Sequence, residues 1–127
     1  MRSPKTKGMV EAEISEAIVK FEKEYMGRGP VETRTYIIDD MILVRIKGVL
    51  TKAETQLAKT DQGLFLIKQV RLKLLEELKH LLSVIIQDIT HCTVISMHTD
   101  ISTTTGERII IFVLDTHFES MFKKNLH

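Results

Sequence analysis

The chain has 127 residues, enough for one domain with a core, and its 43% hydrophobic and 28% charged residues are ordinary for a soluble globular protein. Its net charge of +1 gives no overall electrostatic case for nucleic acid or an anionic membrane, and we expect no nucleic acid as a partner. No apolar run approaches the roughly 20 residues of a membrane-spanning helix, so we expect no direct membrane insertion. The single cysteine, Cys92, excludes an internal disulfide and fits a reducing cytoplasm, the location that we expect.

A first amphipathic helix is predicted where apolar residues recur every three or four positions, between Val10 and Tyr25. Two β-branched runs, Glu32–Ile38 and Met41–Lys47, then flank Asp39-Asp40 and predict a hairpin with a two-residue turn. In that register, one face carries Ile37, Ile42, Val44 and Ile46, and the other carries Arg34, Tyr36, Leu43 and Arg45.

The second helical region begins at Thr51, which forms a capping-box pattern with Glu54. A bend is predicted at residues 60–63. An apolar stripe at helical spacing then runs from Leu64 to about Thr90 and predicts a long helix. The predicted stripe consists of Ile67, Val70, Leu74, Leu78, Leu81, Ile85 and Ile89, and it is widened by Leu75, Leu82 and Ile86. Such a helix is roughly 40 Å long, whereas a sheet of six-residue strands is about 20 Å deep. One end of the helix should therefore extend beyond the sheet and expose apolar side chains.

A second hairpin is predicted from Thr93–Ile101 and Arg108–Leu114, on either side of a hydroxyl-rich loop at residues 102–106. With a four-residue loop, one face carries Ile95, Met97, Ile110, Phe112 and Leu114, and the other carries Ser96, His98, Asp100, Ile109, Ile111 and Val113. A slip of one residue would exchange the two faces.

The element order αββ-αββ predicts an α+β fold, a circularly permuted ferredoxin-like sandwich with two long helices on one face of a four-stranded, mainly antiparallel sheet. Right-handed crossovers favour the strand order 3-4-2-1, with strands 2 and 4 central and parallel. We expect a single domain at residues 9–122, with flexible termini at 1–8 and 123–127. The sheet face away from the helices also carries apolar residues, which predicts an interface and a homodimer.

No pattern in the sequence fixes a reaction, so we expect no enzyme, no catalytic residue, no cofactor and no metal site. His98 and Asp100 provide only two metal ligands, and Cys92 would lie about 20 Å from His98 along an extended strand. Arg34 lies opposite Arg45 in the predicted hairpin, where like charges destabilise a sheet. Either nearby charges and water or a bound carboxylate or phosphate would relieve that repulsion. The candidate residues for binding a ligand or partner are Arg34, Tyr36, Arg45, His98, Asp100, Ser102, Thr103, Thr104 and Arg108.

Two stretches of the chain resemble the small bacterial MpsC-like family. They are Gly27-Arg28-Gly29-Pro30 with residues 34–51 after it, and residues 98–108, which run from His98 to Arg108 through three consecutive threonines. With the helix between them, the resemblance covers roughly residues 10–115. The family takes its name from a component of a sodium-translocating, membrane-potential-generating system. The resemblance therefore implies an accessory role beside a membrane transport protein.

Two functions remain open from the sequence. The first is a non-enzymatic cytoplasmic accessory or regulatory module of a cation-translocating system, which dimerises and binds a membrane transport protein. The alternative is a small-molecule sensor that binds an anion at the dimer seam.

Overall fold

The computed structural model describes residues 5–102 and 104–123. The predicted flexible ends, 1–8 and 123–127, lie mostly outside the described residues, although the first helix already begins at Lys7. In chain order the elements are α1 (Lys7–Tyr25), β1 (Glu32–Ile38), β2 (Met41–Lys47), α2 (Lys52–Leu57), α3 (Asp61–Thr90), β3 (Val94–Ile101), β4 (Arg108–Leu114) and α4 (Phe118–Lys123). The predicted α+β fold is confirmed, with α1 and α3 packed on one face of a four-stranded sheet.

Helices α2 and α3 begin at N-capping residues in the two places where the sequence predicts a helix start and a bend. The Thr51 side chain accepts a hydrogen bond from the Glu54 backbone N–H, and the Glu54 carboxylate accepts one from the Thr51 N–H, so the capping box is complete. The predicted bend is the N-cap of α3, where the Thr60 hydroxyl accepts from the Gly63 N–H. A Cβ on Gly63 would lie 1.7 Å from the carbonyl oxygen of Leu57, so this close approach of α2 and α3 requires glycine.

The sheet has the order β1-β2-β4-β3, and each pair of neighbours is antiparallel. The predicted order is confirmed, but the prediction that strands 2 and 4 are parallel is wrong. Because α3 carries the chain back along the sheet, β3 starts at the same end as β2 and runs parallel to it. A hairpin then reverses the chain into β4, which therefore runs opposite to β2.

The two hairpins follow their predicted registers to different extents. Every predicted pair of the first hairpin is present, from Ile38 with Met41 to Arg34 with Arg45. In the second, the register holds for the part of β3 nearest the loop, but a bulge between Val94 and Ser96 interrupts it. The extra residue of the bulge is Ile95. It was predicted on the same face as Ile110 and Phe112, but it is 64% exposed and lies outside the core.

The core lies between the sheet and the helices α1 and α3. Its central members are Ile14, Ile18, Ile42, Val44, Ile46, Leu82, Ile86, Ile110 and Phe112, each fully enclosed. Cys92 is also buried.

The core side of α3 is the widened side of the predicted stripe, where Ile67, Leu75, Leu82 and Ile86 are buried together with Arg71. Val70 and Leu74 of the predicted stripe are instead 54% and 37% exposed. The expectation that one end of this helix exposes apolar residues is confirmed in its N-terminal half.

One helix was not predicted. Helix α4 follows β4, and its Phe118 is buried and meets Phe122 edge-on at a centroid distance of 5.1 Å. The Glu119 carboxylate accepts a hydrogen bond from the Asp39 backbone N–H at 2.9 Å and pairs with Lys7 at 2.7 Å. Helix α4 thereby ties the β1–β2 turn to the start of α1.

Candidate functional site

The sheet face away from the helices, here called the open face, is a grid of side chains that follows from the strand register. Across β1, β2, β4 and β3, its rows are Arg34-Arg45-Ile109-Asp100, Tyr36-Leu43-Ile111-His98 and Ile38-Met41-Val113-Ser96. The register confirms that five of the candidate residues lie on the open face, as predicted: Arg34, Tyr36, Arg45, His98 and Asp100.

The centre of the open face is apolar and only partly buried. Leu43, Ile109, Ile111 and Val113 are half-buried, whereas their strand neighbours that face the helices, such as Ile42 and Ile110, are fully enclosed. Tyr36 and Ile38 are 37% and 46% exposed at the β1 edge of the grid. A contiguous apolar surface of this kind, rimmed by charges, is typical of a protein-interaction site.

Arg34 and Arg45 lie directly opposite each other at one end of the open face, as predicted. Arg34 Nε lies 3.1 Å from a Glu32 carboxylate oxygen, and Arg45 Nε lies 2.8 Å from one of Glu107. The hydrogen bond from Arg34, assisted by its charge and by Lys47, holds the pKa of Glu32 below its ordinary value. The chain itself therefore provides a carboxylate for each arginine, which offsets their mutual repulsion.

A shallow depression of about 130 Å³ opens between these charged side chains and Tyr36. It is lined by Glu32, Arg34, Tyr36, Arg45 and Lys47. With three cations and one carboxylate in its wall, the depression has the charge to receive an acidic group.

His98 and Asp100 belong to the opposite edge of the open face, on β3. Two strand spacings, about 10 Å, separate Asp100 from Arg45. Asp100 instead accepts a hydrogen bond from the Ile101 backbone N–H at 2.9 Å and pairs with Lys68 at 3.3 Å, and these two contacts lower its pKa. A ring nitrogen of His98 lies 3.2 Å from the Ser96 hydroxyl. The structure therefore does not bring this pair into one site with the arginines.

The loop residues also lie elsewhere. Thr104 lines a separate cleft of about 540 Å³ between the β3–β4 loop and α2, together with Arg28 and Thr55. The Ser102 hydroxyl accepts a hydrogen bond from the Thr105 backbone N–H at 3.3 Å, as expected of a solvated turn. Thr103 lies outside the described residues.

Arg108 is not a surface residue, and its predicted place among the binding residues is wrong. It shares the inward direction of Ile110 and Phe112 along β4, and none of its surface is exposed. Its guanidinium Nη1 donates to the Glu22 carboxylate of α1 at 2.6 Å, in an ion pair that is almost completely buried.

A second acid–arginine pair lies close to the first. Arg71 of α3 donates to both carboxylate oxygens of Glu54 in α2, with a distance of 2.8 Å from its Nε, and also donates to the Val49 carbonyl at 2.8 Å. Neither pair was predicted from the sequence. The signal was the spacing: Arg71 continues the line of Ile67 and Leu75 at helical intervals.

Burial works against both charges of the pair in the core. Desolvation raises the pKa of Glu22 despite the attraction of Arg108, and it lowers the pKa of Arg108. For Glu54, desolvation is the largest single effect and opposes ionisation, but hydrogen bonds from Arg71 and Thr51 together hold its pKa below the ordinary value. These four groups join α1, α2, α3 and β4.

Metal chemistry and membrane spanning find no support within residues 5–102 and 104–123. No group of three histidine, cysteine or acidic side chains there is arranged to hold a metal ion. In the same described part of the chain, no helix has the length and apolar character needed to cross a bilayer.

Comparisons with known proteins identify relatives over most of the chain. The model of the family described as "Na+-translocating membrane potential-generating system (MpsC)" matches residues 6–116. The uncharacterized protein YbcI of Bacillus subtilis (strain 168) is 44% identical over 122 residues, which cover 96% of this chain and 98% of that protein. The uncharacterized protein YrhF of the same strain is 29% identical over 66 residues, which cover 52% of this chain and 54% of that protein. No solved structure matches the chain. The family model and the first of these relatives cover nearly the whole domain, and the chain therefore belongs to the MpsC family.

Proposed function

We propose that this chain is a non-enzymatic accessory or regulatory module of a sodium-translocating membrane system, acts in the cytoplasm, and works by forming a homodimer and binding a membrane transport protein. The family description supports the link to sodium translocation. The observation that carries the proposal is the apolar centre of the open face, which the helices leave uncovered.

The arrangement of the open face supports dimerisation in particular. Leu43 and Ile111 occupy the middle row of the grid, between Tyr36 and His98 at the two edges. Two copies packed face to face would bury these rows against each other, as in other sheet-on-sheet interfaces. The charged row that contains Arg34 and Arg45 would then lie at the rim, where ion pairs with the second copy remain near water.

The test of the dimer is Leu43→Glu, with Leu66→Glu as a matched control on α3, a helix of the opposite layer. We expect the parent chain to be dimeric at micromolar concentration in analytical ultracentrifugation. Leu43→Glu should give a folded monomer with an unchanged circular dichroism spectrum, and Leu66→Glu should remain dimeric. A parent chain that is monomeric removes this part of the proposal. A dimer that only Leu66→Glu disrupts places the interface on the helix layer.

The accessory role is tested in cells that lack the gene. We expect the Na+-dependent part of the membrane potential, measured with a potential-sensitive dye, to fall in its absence and to recover with the parent gene. The Leu43→Glu gene should restore the potential less well than a gene for Met9→Glu, a substitution at a side chain that is 55% exposed on α1. An unchanged potential in the deletion strain would contradict the accessory role, whatever the oligomeric state.

A second candidate function is favoured by the depression next to Arg34 and Arg45. Three cations in its wall support an anion sensor with the ligand held at the dimer seam. Thermal denaturation with phosphates, nucleotides and carboxylates tests this alternative. A ligand at 100 times its dissociation constant should raise the free energy of unfolding of the protein by about 2.7 kcal/mol, which raises its melting temperature. Loss of that shift in Arg45→Gln would support the sensor, and no shift with any of these compounds would exclude it for them.

A further inference from the structure

Helix α2 and the first half of α3 expose apolar side chains on the helix layer, which covers the sheet face opposite to the open face. The side chains of Leu57, Phe65, Leu66 and Val70 are 50%, 64%, 55% and 54% exposed. We call these four residues and the lysines around them the α2–α3 patch. The core does not need them, because Ile67 faces inward from the same turns of α3.

Most exposed charged residues in this part of the chain are lysines. Between residues 52 and 74 the exposed charged residues are Lys52, Lys59, Lys68 and Lys73, against one exposed acid, Asp61. Lys68 and Lys73 have exposed carboxylates 3.3 and 3.6 Å away, in Asp100 and Glu77, and such exposed pairs separate readily. The patch is therefore basic although the whole chain carries a net charge of only +1.

Acidic side chains gather at the opposite end of the molecule, where Lys7 pairs with Glu119 and His117 with Asp39. The β1–β2 turn carries Asp39 and Asp40, and Asp115 and Glu119 lie against the same end through their hydrogen bonds to Thr93 and Asp39.

We propose that the α2–α3 patch binds the surface of an anionic lipid bilayer, with the apolar side chains at the level of the headgroups and acyl-chain ends. Helices that lie in a membrane interface combine leucine and phenylalanine on one side with lysines beside them, and each lysine is attracted to acidic lipid. A second copy of the chain fits this patch less well, because a two-fold contact would bring the lysines of both copies together.

The patch is held in shape before any contact with lipid. Arg71 fixes α2 to α3 through Glu54, and Gly63 allows the close approach to Leu57. Binding therefore does not require these two helices to fold on the membrane, which lowers its entropic cost. The inference does not rest on the proposed accessory function, since a lipid surface is a partner distinct from a transport protein.

Flotation of the full chain with vesicles tests the inference. We expect it to float with vesicles of phosphatidylcholine and phosphatidylglycerol in equal parts, to stay unbound with phosphatidylcholine alone, and to detach as salt is raised. Phe65→Gln should lower the partition coefficient about tenfold, and Lys59→Gln about fivefold. The matched controls are Ile95→Gln, a site with the same 64% exposure on β3, and Lys20→Gln on α1; both should bind like the parent chain.

Three results would overturn the inference. The first is the absence of flotation with the anionic vesicles. The second is equal loss of binding in Phe65→Gln and Ile95→Gln, or in Lys59→Gln and Lys20→Gln, which would mean that the patch is not the site. The third is a change in the sedimentation of the lipid-free protein on Phe65→Gln, which would assign the patch to contact between copies of the chain. Circular dichroism of each variant checks that it is folded, and the lysine variants test the patch independently of its apolar residues.

Discussion

Two pairs of arginines lie at the same end of this sheet in opposite surroundings. Arg34 and Arg45 are on the open face, where their side chains are 64% and 45% exposed and each contacts one carboxylate. Arg71 and Arg108 are enclosed between the sheet and the helices, with side chains 3% and 0% exposed. Water can solvate the first pair if a carboxylate is lost, but it cannot reach the second. The same ion-pair chemistry is therefore replaceable on one face and structural on the other.

The strongest test of this difference is Arg108→Met. We expect it to lower the free energy of unfolding by about 3–5 kcal/mol, because it leaves the Glu22 carboxylate buried without its partner. Urea denaturation measures the loss. The double variant Glu22→Leu with Arg108→Met should recover most of it, since two apolar side chains of similar size can replace a buried ion pair. A double variant no more stable than Arg108→Met would mean that Arg108 stabilises the fold by packing.

Arg71→Met should have a smaller effect than Arg108→Met. The Glu54 side chain is 20% exposed, so water can partly solvate its charge once Arg71 is gone. We expect a loss of about 1.5–3 kcal/mol, the usual range for hydrogen bonds to charged groups. Lys68→Met, one turn earlier on the exposed side of α3, is the control and should change stability little. Equal losses for Arg71→Met and Arg108→Met would show that burial does not separate the two ion pairs.

The Glu22 and Glu54 carboxylates should give the free energy of unfolding opposite dependences on pH. The pKa of Glu22 is raised above 4.5 in the folded chain, so its contribution to the free energy of unfolding falls as the pH rises from 4.5 through the folded pKa. The pKa of Glu54 is lowered, so its contribution is complete above 4.5 and is lost as the pH falls through the folded pKa.

Urea denaturation on both sides of pH 4.5 should therefore separate Glu22→Gln from Glu54→Gln. In the parent chain, Glu22 should make the free energy of unfolding decline as the pH rises above 4.5, and Glu22→Gln should remove that decline. Glu54 should make the free energy of unfolding decline as the pH falls below 4.5, and Glu54→Gln should remove that decline. Profiles parallel to that of the parent in both variants would contradict the two shifts.

The sequence predicted the open face better than the buried ion pairs, for physical reasons. A two-residue turn at Asp39-Asp40 fixes the register of the first hairpin, so Arg34 had to lie opposite Arg45. The bulge at Ile95 has no comparable local signal, because it depends on how β3 meets β4 near the end of α3. Relative strand direction likewise depends on the whole crossover, and that is why the parallel pairing of β2 and β4 was predicted wrongly.

The buried ion pairs were missed because residue type was weighed above position. Alternation along β4 places Arg108 on the same side as Ile110, and helical spacing places Arg71 on the line of Ile67 and Leu75. A guanidinium at such a position requires a carboxylate that comes from another element. The sequence alone does not show which element lies across the core, so the partners Glu22 and Glu54 could be identified only from the fold.

The smallest effect on stability is expected for Arg45→Gln, and it separates the two pairs of arginines most directly. The substitution removes an exposed ion pair with Glu107 but also removes the repulsion from Arg34, so the two changes oppose each other. We expect the free energy of unfolding to change by less than about 0.5 kcal/mol. Association should weaken if the charged row lies at the rim of the dimer, and sedimentation with and without phosphate measures that separately from stability. A strong loss of stability with unchanged association would make Arg45 a structural residue like Arg108, and the open face would lose its charged binding site.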